Sequence, residues 1–357
     1  MVSARTTTHE RWMRRCLQLA NLGSGTTGPN PLVGAVLVQG EHLLAEGWHE
    51  RAGGPHAEAR CLQAFGDGPI PADATMYVNL EPCAHHGRTP PCADLLIARG
   101  VKQVVVGLRD PFPLVAGRGI ERLRNAGVEV TEGVMLEECH WMQRRFITSV
   151  EKKRPYVILK WAASADGFLD RHPRTSRGVQ RISGAATDVL VHRWRSAEPA
   201  ILVGSRTVVH DDPSLSVRHV SGRSPLRLVL DRDGITPGMS NVFTDGGSTM
   251  LFTSDPRPEL SVEQVRINPT EEPLDVILAT LHERNIRSVL VEGGAELIRH
   301  FMEHGLWDEA RVIHGQVHFG DGTPAPRIDG AGRIERMVGG DRIVLHRREA
   351  GCIAWDW

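Results

Sequence analysis

Apolar residues recur at helical spacing across residues 9–22 (Trp12, Met13, Cys16, Leu17, Leu19, Ala20), and Gly23 follows as a stop. That pattern predicts an amphipathic helix. Gly28-Pro29-Asn30-Pro31 is turn chemistry, and residues 33–38 then read as a buried strand. The turn Gln39-Gly40-Glu41 leads to a second strand over 43–48, and a loop with Gly53, Gly54 and Pro55 opens a helix at about His56. Further on, 76–79 predicts a short strand and 93–99 a helix. The valine-rich stretch 101–106 suits a strand covered on both faces. A helix over 119–126 and a strand over 128–130 complete the alternation, which predicts an α/β sandwich with a largely parallel sheet.

Residues 136–146 predict a helix that runs into the charged connector Glu151-Lys152-Lys153-Arg154; Pro155 then precedes an apolar strand over 156–163. A chain of 357 residues is too long for one ordinary core. The expected division is a first domain at 9–132, a connecting helix and linker at 133–154, and a second domain at 155–357. The second half also alternates, with strands over 200–203, 226–230, 250–252 and 288–291 and helices over 188–195, 273–283 and 295–304.

A formal net charge of -1 gives no global field toward nucleic acid or an anionic membrane. With only 8 phenylalanines and 2 tyrosines, there is little to stack on bases either. No apolar run is long enough to cross a bilayer, and residues 1–10 lack the apolar segment of a signal peptide, so a cytoplasmic protein is expected. Six cysteines are too sparse for a disulfide scaffold.

Two of those cysteines belong to a set that carries chemistry. His56-Ala57-Glu58 is followed by Pro82-Cys83 and, after eight further residues, by Cys92. One imidazole and two thiolates make a tight zinc set and leave a fourth tetrahedral position open, as a catalytic site requires. Glu58 lies about 200° around an ideal helix from His56, which suits it to proton handling rather than ligation. The zinc deaminases use a glutamate that way. Cys92 is expected at the start of the 93–99 helix, where the helix dipole favours thiolate. A closed structural site, with His85 or His86 as fourth ligand, is the alternative.

This segment, with Pro29-Asn30-Pro31-Leu32-Val33-Gly34 ahead of it, resembles the cytidine-deaminase-like superfamily. The insert Cys83-Ala84-His85-His86-Gly87-Arg88-Thr89-Pro90-Pro91-Cys92 and the segment Gly47-Trp48-His49 with Gly53 are more specific. They resemble the deaminase half of the bifunctional riboflavin-biosynthesis deaminase–reductase family, over roughly 9–150. The resemblance implies zinc on His56, Cys83 and Cys92, proton shuttling by Glu58, and substrate contacts from Asn30 and His49.

The second half lacks the G-x-G-x-x-G fingerprint of dinucleotide-binding folds. Instead Val291-Glu292-Gly293-Gly294-Ala295-Glu296 ends an apolar strand, where glycines admit a ligand and a helix N-terminus can hold phosphate. That turn resembles the reductase half of the same family, as do Lys160-Trp161-Ala162-Ala163-Ser164-Ala165-Asp166-Gly167, Gly204-Ser205-Arg206-Thr207 and Asp211-Asp212-Pro213-Ser214-Leu215. The resemblance implies a dihydrofolate-reductase-like domain that uses NADPH. Val179, Arg195, Leu215, Arg218 and Glu292 would surround the substrate. Ala162, Arg181, Thr207, Asp211, Gly294, Ala295, Glu296, Leu297, Ile298, Arg299 and His300 would lie along the cofactor. Arg181 stands where the common family pattern has tryptophan.

The implied substrate is a small pyrimidine ribosyl phosphate, 2,5-diamino-6-ribosylamino-4(3H)-pyrimidinone 5′-phosphate, first deaminated and then reduced at the ribose to a ribityl chain. Neither nucleic acid nor membrane is expected as a partner, and the protein could form homo-oligomers. The alternative is a deaminase whose C-terminal domain has lost its reductase activity.

Overall fold

The computed structural model describes residues 7–84, 90–113, 115–174, 176–328, 332–351 and 354. The chain divides into two compact units, Met1–Lys152 and Lys153–Trp355. The first carries α1 (Thr8–Asn21), β1 (Gly34–Gln39), β2 (His42–Trp48), α2 (Ala57–Phe65), β3 (Ala74–Val78), α3 (Cys92–Ala98), β4 (Gln103–Val106), α4 (Arg118–Asn125), β5 (Glu129–Glu132) and α5 (Leu136–Glu151). Thr7 starts α1 with a reciprocal cap: its hydroxyl accepts from Glu10 N–H while the Glu10 carboxylate accepts from Thr7 N–H.

The five strands order as β2-β1-β3-β4-β5. Alternation along β1 shows why helices cover both faces. Ala35 and Leu37 join Met76, Val104 and Val106 under α2, α3 and α4, whose Leu62, Leu96 and Leu123 are buried there. Val36 and Val38 face the other way and pack with Tyr77 and Val105 against Trp12, Met13, Cys16 and Leu19 of α1 and Cys139 of α5. The result is an αβα sandwich. The sheet is more mixed than the sequence pattern suggests: β1 runs antiparallel to both β2 and β3, and only β3-β4-β5 are parallel. A tight turn at Gly40 (φ 59°) makes β1 and β2 a hairpin, which cannot be parallel.

The second unit carries β6 (Tyr156–Ala163), α6 (Ala185–Ala197), β7 (Ala200–Gly204), α7 (Ser205–Asp211), β8 (Leu226–Leu230), α8 (Asn241–Thr244), β9 (Thr249–Thr253), β10 (Glu263–Arg266), α9 (Pro273–Glu283), β11 (Ser288–Val291), α10 (Ala295–Glu303), β12 (Glu309–His314), β13 (Gly332–Val338) and β14 (Asp341–Arg347). They form a nine-stranded sheet, β10-β9-β8-β7-β11-β6-β12-β14-β13, parallel from β10 through β12 and closed by the antiparallel β12-β14-β13. One face buries Val157 and Leu159 against Ile277, Leu281, Ile298 and Phe301 of α9 and α10. The other buries Ile158, Ile201 and Val203 against Leu190 and Trp194 of α6 and Val208 of α7. No helix among the described residues is long and apolar enough to cross a membrane.

Candidate functional sites

In the first unit, α2 begins at Ala57 and leaves His56 as its extended N-cap, while Cys92 is the first residue of α3. Cys92 N–H donates to Cys83 Sγ (3.3 Å) and Ala93 N–H to the Cys83 carbonyl (3.2 Å), so the Cys83 loop is tied to the same helix start. His56 Nδ1 lies 3.6 Å from Cys83 Sγ and 3.4 Å from Cys92 Sγ, and the three ligand atoms all lie within 4.8 Å of one another. Zinc bonds of about 2.3 Å to sulfur and 2.0 Å to nitrogen at a tetrahedral angle require an N···S separation of roughly 3.5 Å. The residues present fit that ion. Hydrogen bonds from Cys92 and His56 hold the Cys83 thiol well below its ordinary value. Beside that thiolate the buried Cys92 thiol is pushed up, and the contact with Cys83 raises His56. The three groups thus share protons that a metal ion would displace.

Glu58, the second residue of α2, is 3% exposed. Burial pushes its carboxyl up to about 7, against the pull of His56. A carboxyl poised there can both accept and return a proton. Asn30 and His49 stand together beside this set. Asn30 Nδ2 donates to His49 Nε2 (2.9 Å), His49 Nδ1 donates to the Pro55 carbonyl (3.0 Å), and the His49 and His56 rings meet edge-on with centroids 5.5 Å apart. Burial lowers the His49 pKa, which favours the neutral ring those bonds require. His85 and His86, the alternative fourth ligands, lie outside the described residues.

Three supporting residues escaped the sequence reading. Asn79 accepts from Gly34 N–H (2.8 Å) and donates to the Leu32 carbonyl (3.0 Å), and Gln143 brackets Leu32 from α5. Together they fix the segment that carries Asn30. The buried Glu81 carboxylate accepts from the N–H groups of Asp110, Gly117, Gly119 and Ile120 at 2.9–3.2 Å. It thereby clamps the start of α4 onto the Glu81-Pro82-Cys83 segment. A Cβ at Gly119 would stand 1.9 Å from the Pro82 carbonyl oxygen, so only glycine permits the approach. The one sequence signal was an acid two residues ahead of a ligand.

In the second unit, Arg195 of α6 grips Glu292 with two parallel bonds, Nε to Oε1 at 2.8 Å and Nη2 to Oε2 at 2.9 Å. Lys160 Nζ reaches Glu292 Oε2 at 3.4 Å from the neighbouring strand, where Val291 pairs with Leu159. Burial alone would raise the Glu292 carboxyl; Arg195 and Lys160 outweigh it and hold it at about 2. Arg195 also donates to the Ser216 carbonyl (3.3 Å), and Arg218 to the Ser216 hydroxyl (3.1 Å), which gathers Arg195, Arg218 and Glu292 around one segment. Leu215, buried in that segment, holds a left-handed backbone (φ 54°) that a leucine rarely adopts. His192 was also missed: its Nδ1 accepts from Arg218 N–H (3.0 Å). Burial, then Arg195, lowers its pKa to about 4. Val179 stands exposed and has no described role in this cluster.

The residues expected along a cofactor fall into two groups. Thr207 of α7 packs on the Gly293-Gly294 turn: a Cβ at Gly293 would stand 2.8 Å from Thr207 Oγ1. Gly294 (φ 57°) caps α10 without a side chain. Ala295, Leu297 and Ile298 are buried. Glu296 pairs with Arg206 (2.9 Å) and Arg299 is exposed. His300 turns toward Glu272. Ala162 is half-buried on β6. Asp211 ends α7 and accepts two bonds from Arg174 (2.7 and 3.0 Å). Arg181, largely exposed, donates to Asp188 (2.7 Å) in the first turn of α6.

Comparison with known proteins matches both units. The cytidine and deoxycytidylate deaminase zinc-binding region matches residues 6–108, and the RibD C-terminal domain matches residues 155–338. The riboflavin biosynthesis protein RibD of Synechocystis is 40% identical over 354 residues, 97% of this chain and 94% of its own. That of Actinobacillus pleuropneumoniae is 38% identical over 354 residues, 96% and 90%. The crystal structure of a diaminohydroxyphosphoribosylaminopyrimidine deaminase/5-amino-6-(5-phosphoribosylamino)uracil reductase from Thermotoga maritima superposes with a TM-score of 0.84 at 37% identity, covering 95% of this chain and 98% of that one. Acinetobacter baumannii RibD gives 0.83 at 34%, covering 96% and 99%. These matches run through the reductase half, so a second domain without reductase activity finds no support. The chain belongs to the RibD family of bifunctional deaminase–reductases of riboflavin biosynthesis.

Proposed function

We propose that the first unit deaminates 2,5-diamino-6-ribosylamino-4(3H)-pyrimidinone 5′-phosphate and that the second reduces the ribose of the product to a ribityl chain with NADPH. The observation that carries this reading is the convergence of His56 Nδ1, Cys83 Sγ and Cys92 Sγ beside the buried Glu58. His56, Cys83 and Cys92 would hold zinc, which when bound would supply the Lewis acidity that makes water a nucleophile near neutral pH. Glu58 takes the proton from the attacking water and returns it to the departing ammonia, and its buried carboxyl suits both halves of that exchange. Asn30 and His49, whose mutual hydrogen bond fixes the neutral imidazole, orient the pyrimidine edge.

In the second unit NADPH supplies the hydride when bound. Gly293 and Gly294 let its phosphates approach the first turn of α10, where no side chain caps the helix. Thr207, Asp211, Ala162 and Arg181 flank the rest. Because the Arg195 fork is already engaged by Glu292, that pair suits the ribose hydroxyls, which both donate and accept. Arg218, exposed and held only at its tip, is the better phosphate ligand. Leu215 completes the substrate contacts of this cluster, and Val179, exposed and outside it, is carried as a contact on the family resemblance alone. The domain limits that go with this reading are 9–132 and 155–357. The substrate is a small phosphorylated pyrimidine and not nucleic acid, and the chemistry belongs in the cytoplasm.

The test is mass spectrometry of the product formed with and without NADPH. Deamination alone without NADPH, then a gain of two hydrogens with it, supports both assignments. Deamination that NADPH never extends would overturn the second.

A further inference from the structure

A second cluster of ligand-type side chains lies away from the zinc-type site, in the second unit. His300 and His304 stand one turn apart at the end of α10, with ring centroids 4.5 Å apart. Glu272, the N-cap residue of α9, faces them. One atom from each of Glu272, His300 and His304 lies within 4.8 Å of the other two.

The arrangement is more than a chance meeting of surface groups. His304 Nδ1 donates to the His300 carbonyl (3.0 Å), which fixes the tautomer and leaves Nε2 with its lone pair free. Glu272 does not cap its own helix, the ordinary use of a polar side chain at that position. Its Oε1 is shut off from solvent and has no hydrogen bond of acceptable geometry, although His300 Nε2 stands 3.0 Å away. A carboxylate oxygen closed to water and served only by a misaligned donor is costly. A cation shared with the two imidazoles relieves that cost without demanding hydrogen-bond angles.

We propose that Glu272, His300 and His304 form a second, independent site for a divalent transition-metal ion. Two imidazoles and one carboxylate suit zinc, nickel or copper, and the i, i+4 spacing presents both rings to one ion. With no thiolate in the set, the ion bound there differs from one on His56, Cys83 and Cys92 in a way that spectroscopy can read.

The experiment is equilibrium dialysis of the full chain against buffered Zn²⁺, with metal counted by elemental analysis, for wild type and His304→Ala. Wild type should bind two zinc ions per chain and the variant one, with at least a tenfold loss of affinity (about the lower end for disturbing a ligand shell) at the weaker site. Cobalt(II) substitution identifies which ion is lost. The sulfur-to-metal charge-transfer band of the His56 set should persist in the variant, while the cobalt without that band disappears. A wild-type stoichiometry of one, or two ions in both proteins, would overturn the proposal.

Discussion

Glutamine at position 292 is the most informative single change in the second unit. The Glu292 carboxylate is 5% exposed and faces two cations, Arg195 at 2.8 Å and Lys160 at 3.4 Å. Its pKa falls from the ordinary 4.5 to about 2. At about 1.4 kcal/mol per pH unit, the ionised form stabilises the native unit by about 3 kcal/mol at neutral pH. Glutamine mimics the protonated acid and leaves the Arg195 guanidinium, itself 13% exposed, without its counter-charge. Glu292→Gln should therefore cost about 3 kcal/mol at pH 7. Because the native pKa is depressed, that contribution is complete above 4.5 and is lost as pH falls from there toward 2. The difference between wild type and variant should shrink over the same interval. Urea unfolding read by hydrogen exchange in peptides spanning 288–303 reports on this unit alone. A loss below about 1 kcal/mol at pH 7, or a difference that stays constant down to pH 2, would refute the electrostatic reasoning.

Three further outcomes are expected. Glu58→Gln should lower ammonia release by roughly 10²–10⁴-fold while retaining zinc; wild-type deamination in that variant would sink the proton-shuttle role. Asp211→Ala removes a carboxylate bonded twice by Arg174 and should slow reduction by about tenfold or more without touching deamination; unchanged reduction would show that Asp211 has no part in it. Gly119→Ala forces a Cβ to 1.9 Å from the Pro82 oxygen. It should cost about 1–3 kcal/mol of stability and weaken zinc binding, read by thermal unfolding and dialysis against a chelator, and a variant as stable as wild type would mean that the segment yields freely.

Much of this architecture was legible in the pattern of side chains. The strands β6, β8 and β11 and the helix α9 match their sequence limits end to end, because apolar runs broken only by Lys160 and Arg227, and a proline at the first helical position, mark them sharply. The misses have physical causes. In β12, Glu309 and Arg311 interrupt the apolar run, yet they are buried and paired at 2.6 Å, which hides an interior strand behind charge. The edge strand β10 offers only Val265 to the core, and α7 buries only Val208, so neither has a periodicity to detect. The zinc-type set was readable from spacing because one histidine and two cysteines stand in a fixed order with a glutamate two residues past the histidine. Glu81, Asn79 and Gln143 were not, since what each does depends on backbone groups brought in by folding. Lys160 became meaningful only when parallel pairing put its strand end beside Glu292.

The Glu81 clamp bears on the order in which this protein matures. Four backbone donors converge on the Glu81 carboxylate and hold the Glu81-Pro82-Cys83 segment by charge, through groups that are not metal ligands. A metal site that takes shape only on binding must couple ion capture to folding. Here the clamp draws only on the polypeptide's own carboxylate and N–H groups, so the domain is expected to fold before it takes up metal. Zinc scarcity should then yield a reservoir of folded, inactive chains that regain activity as fast as the ion arrives, without passing back through the unfolded state.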